Sequence, residues 1–113
     1  MHPDEVYLAA FPFGDAPGMK LRPVLLLTDQ LGTVPEVLVA YISSVMPATL
    51  LPSDIVLEPT SAEHAQTNLK TKSVLRLHKM ATIHARSVVR RIGDLSPSTR
   101  QEVDRKLRAM LGL

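Results

Sequence analysis

Three residues of this 113-residue chain could act together on an anion: Arg22, Arg76 and His78. Arg22-Pro23 stands directly before Val24-Leu25-Leu26-Leu27-Thr28, a run that is apolar at four consecutive positions. Such a run reads as a strand buried on both faces. Proline is tolerated at the first residue of a strand, where its missing N–H breaks no ladder. The Arg22 guanidinium is then held at the mouth of a rigid strand, beside a Gly- and Pro-rich loop over 12–21. A fixed guanidinium there suits the fork-like grip of a phosphate. Arg76 and His78 lie two residues apart within Ser73–Thr82, alternating with Leu75 and Leu77. On a regular strand they share one face, within ~7 Å of each other. Imidazole titrates near neutrality, so His78 can move protons beside a fixed cation. Each residue also has a plain explanation: a solvated arginine at a strand entry, an exposed histidine on a strand.

The remaining polar candidates are weaker. Ser43 closes the apolar run Val37–Ser43, and its hydroxyl either joins a site or bonds local backbone. Lys20, Lys72 and Lys79 can contact a nucleic-acid backbone, and Phe13 can stack on a base. On a regular strand Lys79 faces away from Arg76. His2, His64 and His84 show no metal-ligand spacing and read as structural or exposed. There are no cysteines, which removes disulfides, thiolate metal sites and cysteine nucleophiles. No metal or cofactor is expected.

These residues must be positioned by short elements. Strands are expected over Glu5–Phe11, Arg22–Thr28, Val37–Ser43, Asp54–Glu58, Ser73–Thr82 and Val88–Ile92, with one polar helical turn within Thr60–Asn68 capped by Thr60 or Ser61. Ser96 as N-cap and Pro97 at the first helical position open a terminal helix. Val103, Leu107, Met110 and Leu111 form its apolar stripe, and Gly112 ends it. The pattern is mainly β with one α-helix, a small barrel plugged or flanked by that helix, in one domain over residues 1–113. Hydrophobic residues make up 45% of the chain, enough for a modest single core. No apolar run is long enough to span a membrane, and the N-terminus lacks the pattern of a signal peptide. A cytoplasmic location is expected.

Net charge is only +2, but it is unevenly placed. Residues 1–69 carry two basic and eight acidic side chains, whereas residues 70–113 carry eleven basic and three acidic ones. A cationic half of this kind suits a polyanion or an acidic protein segment.

Five stretches in register, "DEVYLAAFPFGD", "KLRPVLLLTD", "LVAYISS", "SVLRLHKMATI" and "RRIGDLS", resemble the PemK/MazF family of bacterial toxins over nearly the whole chain. The resemblance implies an SH3-like barrel with a C-terminal helix, usually a homodimer. It also implies a sequence-selective, metal-independent endoribonuclease that cuts single-stranded RNA and is silenced by a cognate antitoxin. Arg22 matches the arginine of the family's Arg-Pro motif, which contributes to the active site. Ser43 stands where active members commonly carry a catalytic threonine, and keeps the hydroxyl. Arg76 matches a catalytic arginine of the Kid branch, and His78 stands where that branch has a catalytic aspartate. Two alternatives stay open within the same fold: a CcdB-like gyrase poison acting by protein binding, and a catalytically silent RNA-binding barrel. The first relies on a tryptophan near the C-terminus, whereas this chain ends Met110-Leu111-Gly112-Leu113. Both Arg22 and Arg76 are expected at wet positions.

Overall fold

The computed structural model describes residues 1–11 and 20–113. Most of the expected loop over 12–21, with Phe13, lies outside the described residues; Lys20 and Leu21 belong to a strand. Six strands and one helix follow in order: β1 (Glu5–Phe11), β2 (Lys20–Leu26), β3 (Glu36–Ser43), β4 (Asp54–Leu57), β5 (Ser73–His84), β6 (Val88–Asp94) and α1 (Pro97–Leu111). They form one antiparallel sheet in the order β4-β5-β3-β2-β1-β6. The mainly-β expectation with a C-terminal helix holds, but the barrel is not closed. Among the described residues no ladder joins the edge strands β4 and β6. Closure would need continuous pairing at both edges. Here β4 is only four residues long, and the β1–β6 register slips at two places.

The apolar runs explain the middle of the sheet. Val24, Leu25 and Leu26 are all fully buried, so both faces of β2 are covered. One face joins Leu25, Ile42, Leu75 and Leu77 to Leu95 and to Val103, Leu107 and Met110 of α1. The other gathers Ala9, Val24, Leu26, Val37, Val39 and Ile83. The helix starts and stops as its sequence dictates. The Ser96 hydroxyl accepts from the Thr99 N–H, Pro97 occupies the first turn, and Gly112 takes the left-handed conformation at the C-terminus.

Pro23 sits inside β2 rather than at its first residue. It pairs with Leu8 of β1, while pairing with β3 begins only at Val24. The proline, with no N–H to donate, thus stands where the β2–β3 pairing ends. This opens the start of β2, including Arg22, to a cleft.

The wall of that cleft is set by the segment before β5. A short 3-10 turn, Ala65–Thr67, stands where one helical turn was expected. Its N-cap is His64, which makes no side-chain cap, rather than Thr60 or Ser61. The turn presses on β6 at Gly93, where a Cβ would collide with the main-chain carbonyls of Gln66 and Thr67. Gln66 Nε2 donates to the Leu95 carbonyl (3.0 Å), and Asn68 Nδ2 donates to the Ile92 carbonyl (2.7 Å).

At the far edge, Asp54 and Arg76 are directly opposed across β4 and β5. Both guanidinium contacts to the carboxylate are 3.1 Å. The Asp54 side chain is wholly buried and that of Arg76 is only 16% exposed. Arg76 is therefore not at a wet position.

Two outcomes follow. Gly93→Ala should lower stability by about 1–3 kcal/mol, because neither carbonyl can move away without dragging the turn; urea unfolding should show a lower midpoint. Arg76→Ala should cost about 3 kcal/mol or more, since it strands a buried carboxylate. Asp54 titrates below its ordinary value of 3.8 in the folded protein. The pair's stabilisation is thus complete above that value and is lost as pH falls through the lower folded one. Thermal melts from pH 7 to pH 2 should show Asp54→Asn losing less stability over the acid range than wild type.

Candidate active site

The strand register lines up four side chains across the sheet: Val24, Tyr41, Arg76 and Asp54 are cross-strand partners in turn. Directly paired residues share a face, and so do residues two apart on one strand. Arg22, Tyr41, Ser43, Arg76 and Asp54 therefore belong to one face at one end of the sheet.

Asp54 is the centre of this group. Its Oδ1 accepts from Arg76 Nε, and its Oδ2 accepts from Arg76 Nη2 and from the Leu51 N–H at 2.8 Å. Burial pushes the carboxyl up. The hydrogen bonds from Arg76 and Leu51, with the charges of Arg76 and His78, outweigh this and hold it below the usual carboxylate value. From α1, Lys106 Nζ reaches the Asp54 main-chain carbonyl at 2.8 Å and pairs with Glu102 at 3.6 Å.

His78 is exposed beside the same carboxylate, its Nδ1 3.9 Å from Asp54 Oδ1. That is too long for a hydrogen bond, so the attraction acts only on the protonated ring. Its position comes from an irregularity in β5. Met80 opposes Ala40, yet Arg76 opposes Tyr41, so Leu77, His78 and Lys79 bulge out without partners on β3. Leu77 turns into the core, whereas His78 and Lys79 stay exposed. The bulge also re-aims Lys79. It does not face away from Arg76's row but stands over the Tyr41 ring, 5.9 Å from its centroid.

Arg22 lines a separate but adjoining cleft of about 350 Å³ at the strand ends. Leu21, Tyr41, Ser44, Lys70, Thr71 and Arg90 also line it. Among the described residues Arg22, Lys70 and Arg90 pair with no carboxylate. Much of the other positive charge in residues 70–113 is neutralised locally: Arg91 by Glu5 and Asp94, Arg108 by Asp104, Lys106 by Glu102. The cleft gathers three of the cations that have no carboxylate partner among the described residues.

The structure thus brings Arg76 and His78 together around Asp54 and sets Arg22 in the neighbouring cleft. It does not turn Ser43 toward that cleft. Ser43 is buried, and its hydroxyl accepts from the Val45 N–H (3.1 Å) and bonds the Val45 carbonyl (3.3 Å). Ser44 lines the cleft instead. Lys20 and Lys72 are exposed and line neither group. Asp54 was missed because its role exists only once β4 pairs with β5. Its one sequence signal is a lone acid opening the run Ile55-Val56-Leu57. Among the described residues, no three His, Asp or Glu side chains gather as metal ligands would.

A search of curated protein sequences returns no match. Solved structures are similar throughout. The Mycobacterium tuberculosis toxin MazF-mt6 superposes with a TM-score of 0.74 at 22% identity, covering 96% of this chain and 97% of its own. An endoribonuclease in complex with its cognate antitoxin, from mycobacterial species, gives 0.74 at 16% identity over 100% and 96%. MazF from Deinococcus radiodurans gives 0.68 at 15% over 100% and 97%. Those likenesses establish the fold. A family model matches residues 2–111, every element from β1 to α1. The chain therefore belongs to the PemK-like, MazF-like toxins of type II toxin–antitoxin systems.

Proposed function

We propose that this protein is an endoribonuclease toxin that cleaves single-stranded RNA through the substrate's own 2′-hydroxyl. The observation that carries this reading is the cationic cleft of Arg22, Lys70 and Arg90 adjoining the Arg76–His78 pair on one end of the sheet. An RNA strand lying along that end would meet unpaired cations first and a proton-transfer group beside them.

The chemistry needs no covalent enzyme intermediate. The 2′-oxygen gives up its proton and attacks phosphorus, the bond to the 5′-oxygen breaks, and that oxygen takes a proton. The products are a 2′,3′-cyclic phosphate and a 5′-hydroxyl. His78 is the group placed to move one of these protons. Its Nδ1 lies toward Asp54, which leaves Nε2 on the opposite side of the ring for substrate. General acid–base help of this kind contributes about 10²–10⁴-fold. Arg76 presents its second guanidinium edge to the charge that builds on the phosphorane oxygens. Arg22 holds the neighbouring phosphate. Asp54 is too deeply buried to touch RNA.

The solved relative that carries its cognate antitoxin supports an antitoxin partner here. An acidic segment laid over the Arg22–Lys70–Arg90 cleft would block RNA by charge and by bulk. We assign the protein to the cytoplasm as a homodimer, on the family's pattern. Among the described residues no helix is long and apolar enough to cross a membrane.

The test is cleavage of a single-stranded RNA by purified protein in EDTA. Cutting should proceed and leave the cyclic phosphate. A 2′-deoxy residue at the cut should abolish it. Cleavage of that substrate at an undiminished rate would exclude the 2′-hydroxyl mechanism.

Individual side chains should separate by parameter. Arg22→Ala, which breaks no ion pair among the described residues, should melt like wild type yet raise KM or lower kcat/KM by about tenfold or more. His78→Gln should lower kcat far more than KM, because proton transfer acts in the transition state. Steady-state kinetics well below the melting temperature decide both, and wild-type rates in either variant would remove that residue from the site.

A further inference from the structure

We infer that Asp54 is a positioning residue of this site, holding the Arg76 guanidinium in the one orientation that presents its outer edge to RNA. The inference rests on the ribonuclease reading and adds to it a residue that never meets the substrate.

The geometry is specific. A free arginine side chain samples many rotamers, and its guanidinium plane would wander over the exposed His78 and Lys79 of the bulge. Here the Nε–Nη2 edge is spent on both oxygens of one buried carboxylate, at 3.1 Å each. Two parallel bonds fix the plane as well as the distance. What remains is the Nη1 edge and the outer hydrogen of Nη2, which form the fork a phosphate needs.

Asp54 is itself fixed from three directions. The register sets it opposite Arg76, the Leu51 N–H holds Oδ2, and Lys106 of α1 grips its main-chain carbonyl. Edge strands are the loosest part of a sheet, and β4 is a four-residue edge strand. These ties make its first residue a firm anchor nonetheless. The helix thereby reaches the site without touching it. His78 adds a second reason. Its ring nitrogen lies 3.9 Å from the oxygen that Arg76 Nε also uses. One carboxylate therefore faces both members of the pair.

A purely structural ion pair would tie β4 to β5 and nothing more. The two roles differ in what Asp54→Asn does. The amide keeps the shape and one acceptor oxygen, so the edge strand stays paired, but the second guanidinium bond is lost. Positioning predicts a folded variant with a cooperative melt, KM within about threefold of wild type and kcat lower by about tenfold or more. Arg76 Nε–H exchange, read by NMR on free protein, gives a measure that needs no activity. In wild type it should exchange at least about tenfold more slowly than that of Arg22, and in Asp54→Asn the two should converge.

A folded Asp54→Asn with wild-type kcat overturns the inference. So does a loss of activity that merely tracks the fraction unfolded. Should the variant fail to fold, the wild-type exchange rates still decide, and equal rates for Arg76 and Arg22 overturn it. Wild-type protein that leaves RNA intact while Arg76 is protected overturns the ribonuclease reading and the catalytic part of this one, and leaves Asp54 as a structural anchor.

Discussion

The arrangement at the active end depends on one buried ion pair. Asp54 and Arg76 join a short edge strand to the longest strand of the sheet, and both partners are largely withdrawn from water. Burying a lone carboxylate is costly, and the structure offsets this with two guanidinium bonds and one main-chain N–H. The consequence is directional. Arg76 cannot point anywhere else without stranding the carboxylate, so a demand of folding also sets the orientation of a site residue.

The bulge in β5 does complementary work. Pairing with β3 resumes beyond Leu77, His78 and Lys79 in a shifted register, so these three residues are released from the ladder without breaking the sheet. Leu77 still fills the core, which pins the bulge. His78 can then sit beside a carboxylate that belongs to a different strand, and Lys79 can lie over Tyr41. A regular strand would have sent Lys79 to the opposite face. The cleft beside it has a different origin. Pro23 ends the β2–β3 pairing, and the turn pressed against Gly93 raises a wall carrying Lys70. Arg22, Lys70 and Arg90 have no carboxylate partner there among the described residues, which suits a polyanion.

Much of this was legible in the sequence, for local reasons. The apolar runs at 24–27 and 37–42 read as strands, and β2 and β3 formed there. Ser96-Pro97 and Gly112 carry the chemistry of helix ends within themselves. The alternation Leu75-Arg76-Leu77-His78 placed the two polar residues on one strand, and the proline at 23 marked an unusual entry. Each of these depends on neighbours within a few residues, so the chain alone determined them.

What the sequence could not decide is which distant groups meet. Asp54 lies 22 positions before Arg76, and only the pairing of β4 with β5 makes them partners. The direction of Ser43 turned on a bond to Val45, so its neighbour Ser44 took the place at the cleft. The three-residue bulge overrode strand alternation for Lys79, and the two edge strands were left unjoined because neither is long or regular enough to close the sheet. Periodicity reports which face a residue prefers on an ideal element. Contacts between strands, and the slips that packing forces on them, set which side chains share a site, and that information exists only when the sheet is assembled.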